Sequence, residues 1–233
     1  VASAYVHGQF VNLVTGLVYY GFDRFENVVE LPMPSGAELA VGMDFNVNPM
    51  AAAVFWVVKR GNNKHIHYFD ELELPNCDTL EMCRVLKVHY GEAGPTIPYC
   101  AERKDDIVTI MSPLTTVYPD SQAGRSTASP GGRTDYDIIK ESNFLLEKRP
   151  GGNPLRKDRY NTVNGMLREH DGRIRMTFSP RCKKLIKYQM VYSHEMMNAQ
   201  EHMSHLLDAR DYPVCIIFPA DRAGLRLAPI HGF

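Results

Sequence analysis

Asp44 stands near the end of an apolar run, residues 39–45, directly before the polar corner Asn46-Val47-Asn48-Pro49 and a second apolar run, residues 51–58. An ionised carboxylate in such a setting is costly unless something cationic meets it, such as a metal, an arginine or a ring of donors. Those residues taken alone favour an Asp that caps its own turn. A second acid, Asp120, bears the same relation to the run 115–118 and follows Pro119. If the two strands are neighbours, the two acids converge. With no Lys or Arg close in sequence, they suit a hard, oxygen-seeking divalent cation such as Mg²⁺. Asp70 and Glu71 read as solvent-side residues on an edge strand. His65 and His67 share one strand face but are too few for a site.

The elements that must position these acids follow from periodicity. Residues 1–36 hold two short strand-like runs around Thr15-Gly16 and end in a linker rich in Pro, Ser and Gly, too small for a core of their own. Residues 39–45, 51–58 and 64–72 predict a three-stranded antiparallel meander. Asp78, with Glu81 three residues on, predicts a capped helix to Tyr90 that packs through Leu80, Cys83, Leu86 and Val88. A strand at 115–118 follows, then helices at 136–148, 160–170, 181–192 and 195–209, with a strand at 173–178. The fold class is α/β, a mixed central sheet flanked by helices, in which strand ends gather in a crevice.

The chain has 233 residues and a formal net charge of −1, enough for one large domain with an arm. The initial Val1 predicts a piece of a longer protein. Cys77, Cys83, Cys100, Cys182 and Cys215 are scattered without a CxxC pair, which predicts reduced thiols and no zinc cage. No apolar run is long enough to span a bilayer. Residues 121–187 carry 15 Lys or Arg against 7 Asp or Glu, amid many Gly, Ser, Thr and Asn. A solvated face is the usual meaning of such a stretch, but this composition suits phosphate contact, and so a polyanionic partner.

An ordered series of motifs joins these acids: Gly42-Met43-Asp44-Phe45-Asn46, Tyr118-Pro119-Asp120-Ser121, Arg125-Ser126-Thr127, Thr134-Asp135-Tyr136, Asn161-Thr162-Val163-Asn164-Gly165-Met166-Leu167 and Pro180-Arg181-Cys182-Lys183-Lys184-Leu185-Ile186. The series resembles the C-terminal nuclease domain of the large terminase subunit of tailed bacteriophages. The resemblance implies an RNase H-like nuclease domain over residues 37–233. It makes residues 1–36 the junction with a missing ATPase domain. The implied activity is metal-dependent cutting of double-stranded viral DNA during genome packaging, with little sequence preference. By position, Asp44 and Asp120 match two of the family's acids. The third acid falls where this chain has His205, which can still ligate a divalent ion and favours Mn²⁺ over Mg²⁺ somewhat. Asp208 and Glu201, on the same helix face, are the substitutes.

The implied chemistry is a two-metal-ion phosphodiester hydrolysis, with ions about 4 Å apart bridged by Asp44. Arg125, Arg133, Lys148, Arg149, Arg156, Lys157, Arg181, Lys183, Lys184 and Lys187 are expected to hold the duplex by its phosphates. No GxxxxGK[ST] pattern occurs, so no ATP hydrolysis is expected of these residues. The resemblance also implies a capsid portal and a small terminase subunit as partners, the host cytoplasm as location, and absence from the mature virion. Competing readings are an inactive DNA-binding or docking module of the packaging motor, or another RNase H-like enzyme such as a junction resolvase.

Overall fold

The computed structural model describes residues 16–46, 48–60, 63–92, 94–96, 108–110, 112–121, 132–197 and 201–219. After a short helix α1 (Arg24–Asn27) come β1 (Glu38–Asp44), β2 (Met50–Arg60) and β3 (Asn63–Leu74), then α2 (Thr79–Tyr90). A small hairpin, β4 (Gly94–Thr96) with β5 (Val108–Ile110), precedes β6 (Leu114–Pro119). The chain continues through α3 (Asp135–Glu141), β7 (Leu145–Leu146), α4 (Arg156–Leu167), β8 (Met176–Phe178), α5 (Lys183–Val191) and α6 (Glu201–Ile217).

Among the described residues the main sheet has six strands in the order β7-β6-β1-β2-β3-β8. The meander β1-β2-β3 is antiparallel, as its pattern predicts, while β6 runs parallel to β1 and β8 parallel to β3. Strand alternation divides the side chains between two cores. Leu39, Val41 and Met43 pack with α2 and α3 on one face. Ala40, Ala51 and Ala53 turn to the other face, with α4, α5 and α6. Residues 18–22 join that second core through Val18, Tyr19 and Phe22. Asn27 donates to the Leu167 and Met176 carbonyls, so this segment is stitched to α4 and β8. Residues 1–15, with their strand-like run, lie outside the described residues. The run at 18–24 is turn and helix instead of strand.

Several local expectations are corrected by packing. Helix α2 is capped as predicted, Asp78 accepting from the Glu81 N–H at 2.8 Å. Its buried face, however, is Met82, Cys83, Val85, Leu86 and Tyr90, and Val88 is 77% exposed. Helix α3 stops at Glu141 because Asn143 takes a left-handed conformation (φ 58°), and the next residues pair with β6 as β7. Helix α6 starts later than predicted and continues through Pro213 to Ile217. Met196, Met197 and Met203 pack in the core, whereas Met190 is exposed. Cys77, Cys83, Cys182 and Cys215 are buried thiols outside any disulfide. No described helix is long and apolar enough to cross a membrane.

Asp70 and Glu71 are not solvent-side. Strand β3 has a neighbour on each side, and the two acids are 1% and 7% exposed. Asp70 accepts from the Tyr90 hydroxyl at 2.9 Å. Glu71 accepts the Lys184 and Leu185 N–H groups, each at 2.7 Å, and so caps α5, whose own N-cap Cys182 makes no side-chain capping bond.

His67 is also buried, tilted against Trp56 with ring centroids 4.6 Å apart, its Nδ1 2.8 Å from Thr177 Oγ1. Burial pulls its pKa down from the ordinary 6.5 to about 4. The unfolded chain therefore takes a proton that the native state refuses as pH falls below 6.5. The His67 contribution to stability should fall by about 3 kcal/mol between pH 6.5 and 4 and level off below. Thermal melts of wild type and His67→Gln across that range test this, the variant showing the shallower slope.

Candidate metal centre

Asp44 and Asp120 meet at the carboxyl ends of adjacent parallel strands. Met43 of β1 pairs with Pro119 of β6, and the Asp120 N–H donates to the Met43 carbonyl at 3.0 Å. The next residue on each strand is therefore an acid beside an acid, about 4.8 Å apart across the ladder. Alternation turns both toward the α6 face.

Gly42 decides how near α6 comes. A Cβ at that position would overlap the Ala209 carbonyl oxygen and stand 2.9 Å from Pro213 Cδ. Pro213 has no N–H to offer the Ala209 carbonyl, the acceptor one turn earlier. The Gly42 surface is thus where the irregular turn of α6 fits. Ala40, Ala51 and Ala53 extend the same shallow floor. Side chains within a turn of that contact are delivered onto Asp44.

His205 Nδ1 lies 3.1 Å from Asp44 Oδ2. The Asn46 amide nitrogen is 2.7 Å from that oxygen and 2.6 Å from the ring nitrogen. Tyr212 donates its hydroxyl to Asp44 Oδ1 at 3.3 Å. Burial, then the carboxylates of Asp44, Asp208 and Asp120, push the Tyr212 phenol far above its ordinary pKa, so it remains a donor. Asp44 itself is 5% exposed, yet the groups described as touching its carboxylate are an amide, an imidazole and a phenol, with no Lys or Arg among them. Asp120 accepts from Asn153 Nδ2 at 2.5 Å.

The structure separates His205 from its substitute. Asp208 is bound to Arg159 at 2.6 Å, and Arg159 also approaches Asp211 at 3.7 Å. Burial pushes the Asp208 carboxyl up to about 7, with Arg159 opposing. Asp211 in turn holds Arg210 and the Tyr19 hydroxyl, so this ionic cluster ties α4, α6 and the N-terminal segment together. The Glu201 side chain and Arg125 lie outside the described residues. Among the described residues no group of three or more His, Cys, Asp or Glu is placed to hold a metal ion. The donor set fits a divalent ion in chemical kind: a buried carboxylate that no Lys or Arg is described as touching, a second carboxylate on the adjacent strand and an imidazole in contact. Asn46, Tyr212 and Asn153 escape a reading of the sequence. Only Asn46, two residues from Asp44, carries a local signal.

The basic residues are unequally placed. Lys148 lies 5.2 Å over the ring of Tyr136, whose hydroxyl donates to the Asp120 carbonyl, and Arg156 and Lys157 are exposed at the start of α4. Lys183 and Lys187 are exposed on α5, whose N-terminus sits on Glu71 of β3. Arg133 pairs with Glu141 at 2.9 Å, and the Lys184 ammonium sits on Glu73 at 2.6 Å. Arg181 is only partly exposed.

The six-stranded sheet with helices on both faces and paired acids at its carboxyl edge defines an RNase H-like α/β fold. Solved structures narrow this further. The large terminase of a thermophilic bacteriophage superposes with a TM-score of 0.57 at 15% identity, over 87% of this chain and 44% of that one. The P22 large terminase nuclease domain gives 0.56 at 12% identity, over 85% of this chain and 90% of that domain. The chain thus has the fold of a large-terminase nuclease domain and spans less than half of the thermophilic phage protein it matches. No family model matches the sequence, and no curated protein does.

Proposed function

We propose that this chain is the nuclease part of a large terminase, a metal-dependent endonuclease that cuts double-stranded viral DNA with little sequence preference. The observation that carries this reading is the side-by-side placement of Asp44 and Asp120 at one sheet edge, with His205 against Asp44. Asp44, Asp120 and His205 would hold Mg²⁺ or Mn²⁺. Bound there, a divalent ion supplies charge stabilisation at the phosphate and a water of lowered pKa.

The chain's own residues do the rest. Tyr212 and Asn46 hold the two oxygens of Asp44 from opposite sides, so its carboxylate cannot rotate away. Basic groups at the start of α4 and on α5 hold the duplex by its backbone across the acids. By the same reading, an ATPase domain, a capsid portal and a small terminase subunit are its partners in the host cytoplasm.

Conversion of supercoiled plasmid in Mn²⁺, absent in EDTA, tests the activity. Cleavage confined to four-way junctions would mark a resolvase instead, and no conversion at all a docking module. For DNA binding, the double change Arg156→Ala with Lys157→Ala should weaken affinity for all duplexes alike. It should also flatten the log–log salt slope by about two, one per lost phosphate contact. Lys184→Ala should do less, because its ammonium is already committed to Glu73. Fluorescence anisotropy over a salt series measures both. A loss limited to one DNA sequence would contradict backbone recognition.

A further inference from the structure

The segment between β7 and α4 does more than carry positive charge. Gly151 and Gly152 both take left-handed conformations, φ 83° and 93°, and turn the chain back on itself. Asn153 follows directly and reaches the candidate metal centre. Its Nδ2 donates to Asp120 Oδ1 at 2.5 Å, while its Oδ1 accepts the Ser121 N–H at 2.9 Å. The Arg149 N–H adds a bond to Ser121 Oγ at 3.3 Å. Tyr136, beneath Lys148, donates its hydroxyl to the Asp120 carbonyl at 2.7 Å. Asp120 is therefore held by the same segment whose neighbours Lys148, Arg149, Arg156 and Lys157 carry the positive charge.

We infer that Asn153 is a positioning residue: its amide orients the Asp120 carboxylate and couples the basic loop to the metal centre. The inference rests on the reading of Asp120 as a metal ligand. Physically, a neutral donor on one carboxylate oxygen restricts rotation without cancelling charge, and so leaves the group's attraction for a cation intact. Hydrogen bonds of this kind behind metal ligands are commonly worth about 10–100-fold in metal affinity. Phosphates gathered by the loop would favour the same loop arrangement that presents Asn153. DNA and metal then strengthen each other's binding by one common factor.

The test is Mn²⁺ binding to the whole chain by electron paramagnetic resonance, with and without a non-specific duplex of about two helical turns and without turnover. Asn153→Ala should weaken Mn²⁺ binding by about 10–100-fold without DNA. The duplex should tighten Mn²⁺ binding by about 5-fold or more in wild type and by less in the variant. In cleavage assays the Mn²⁺ activation constant should rise while the rate at saturating Mn²⁺ changes little. Asp120→Asn separates the two levels of the argument. If it leaves Mn²⁺ affinity unchanged, the reading of Asp120 as a ligand fails. If it abolishes binding while Asn153→Ala binds as wild type, only the role of Asn153 fails. A second measurement covers a variant that does not fold. The side-chain amide resonances of Asn153 in the wild-type protein should shift on Mg²⁺ addition, and the absence of any shift would overturn the inference.

Discussion

Asp44→Asn is expected to lower metal-dependent plasmid cleavage by about 10³-fold or more, with the fold intact. The amide is the same size and can keep contacts to Tyr212 and Asn46, so packing is conserved. What is lost is one negative charge at the centre of the ligand set. Charge stabilisation by a bound metal is worth several kcal/mol, and about 1.4 kcal/mol is tenfold in rate. His205→Ala should also impair Mn²⁺ binding, measured by calorimetry. Asp208→Asn should act differently, because Asp208 answers the buried Arg159. Breaking a buried pair costs about 3–5 kcal/mol, so its signature is a lowered melting temperature. Should Asp208→Asn lose metal binding with an unchanged melt while His205→Ala keeps it, the roles of the two side chains are exchanged. Retained cleavage in Asp44→Asn would end the metal-centre reading.

Gly42→Ala is the second large effect, and it touches no ligand. The added methyl would overlap the Ala209 carbonyl oxygen, which is backbone and cannot rotate away as a side chain would. Either α6 shifts outward or β1 bends. Overpacking of this kind costs about 1–3 kcal/mol in stability. The functional loss should exceed what stability alone predicts, because any outward shift of α6 carries His205 and Tyr212 off Asp44. Chemical denaturation and Mn²⁺ binding on the same sample check both parts. A variant that is less stable yet binds Mn²⁺ as wild type would show that the helix contact serves the fold and not the site. By the same logic, shortening Pro213 to Ala should be tolerated better, since it removes atoms from the crowded contact.

These two residues show how differently the site is written in the chain. Asp44 is visible as a candidate, because one acid in an apolar strand before a polar corner needs either a partner or a turn to cap. Asp120 is visible by the same pattern, and the meander between residues 38 and 74 follows from alternation and turn residues. Gly42 is silent in the sequence, where it looks like a weak spot in a strand. Its use appears only when a distant helix, α6, lies across it.

The burial of Asp70 and Glu71 was illegible for a related reason. Their partners, Tyr90 and the α5 N–H groups, come from other elements distant in the chain. The cap of α5 is likewise supplied by a strand and not by its own preceding residue.

The sequence by itself determined the strands, most of the helices, and the two acids at strand ends, because periodicity and local turn chemistry act over a few residues. Only the tertiary structure decided that β6 lies beside β1, that His205 meets Asp44 while Asp208 is held by Arg159, and that Asn153 returns to Asp120. Those are choices among contacts distant in the chain. They are settled by which faces pack and how closely, which no short stretch of residues encodes.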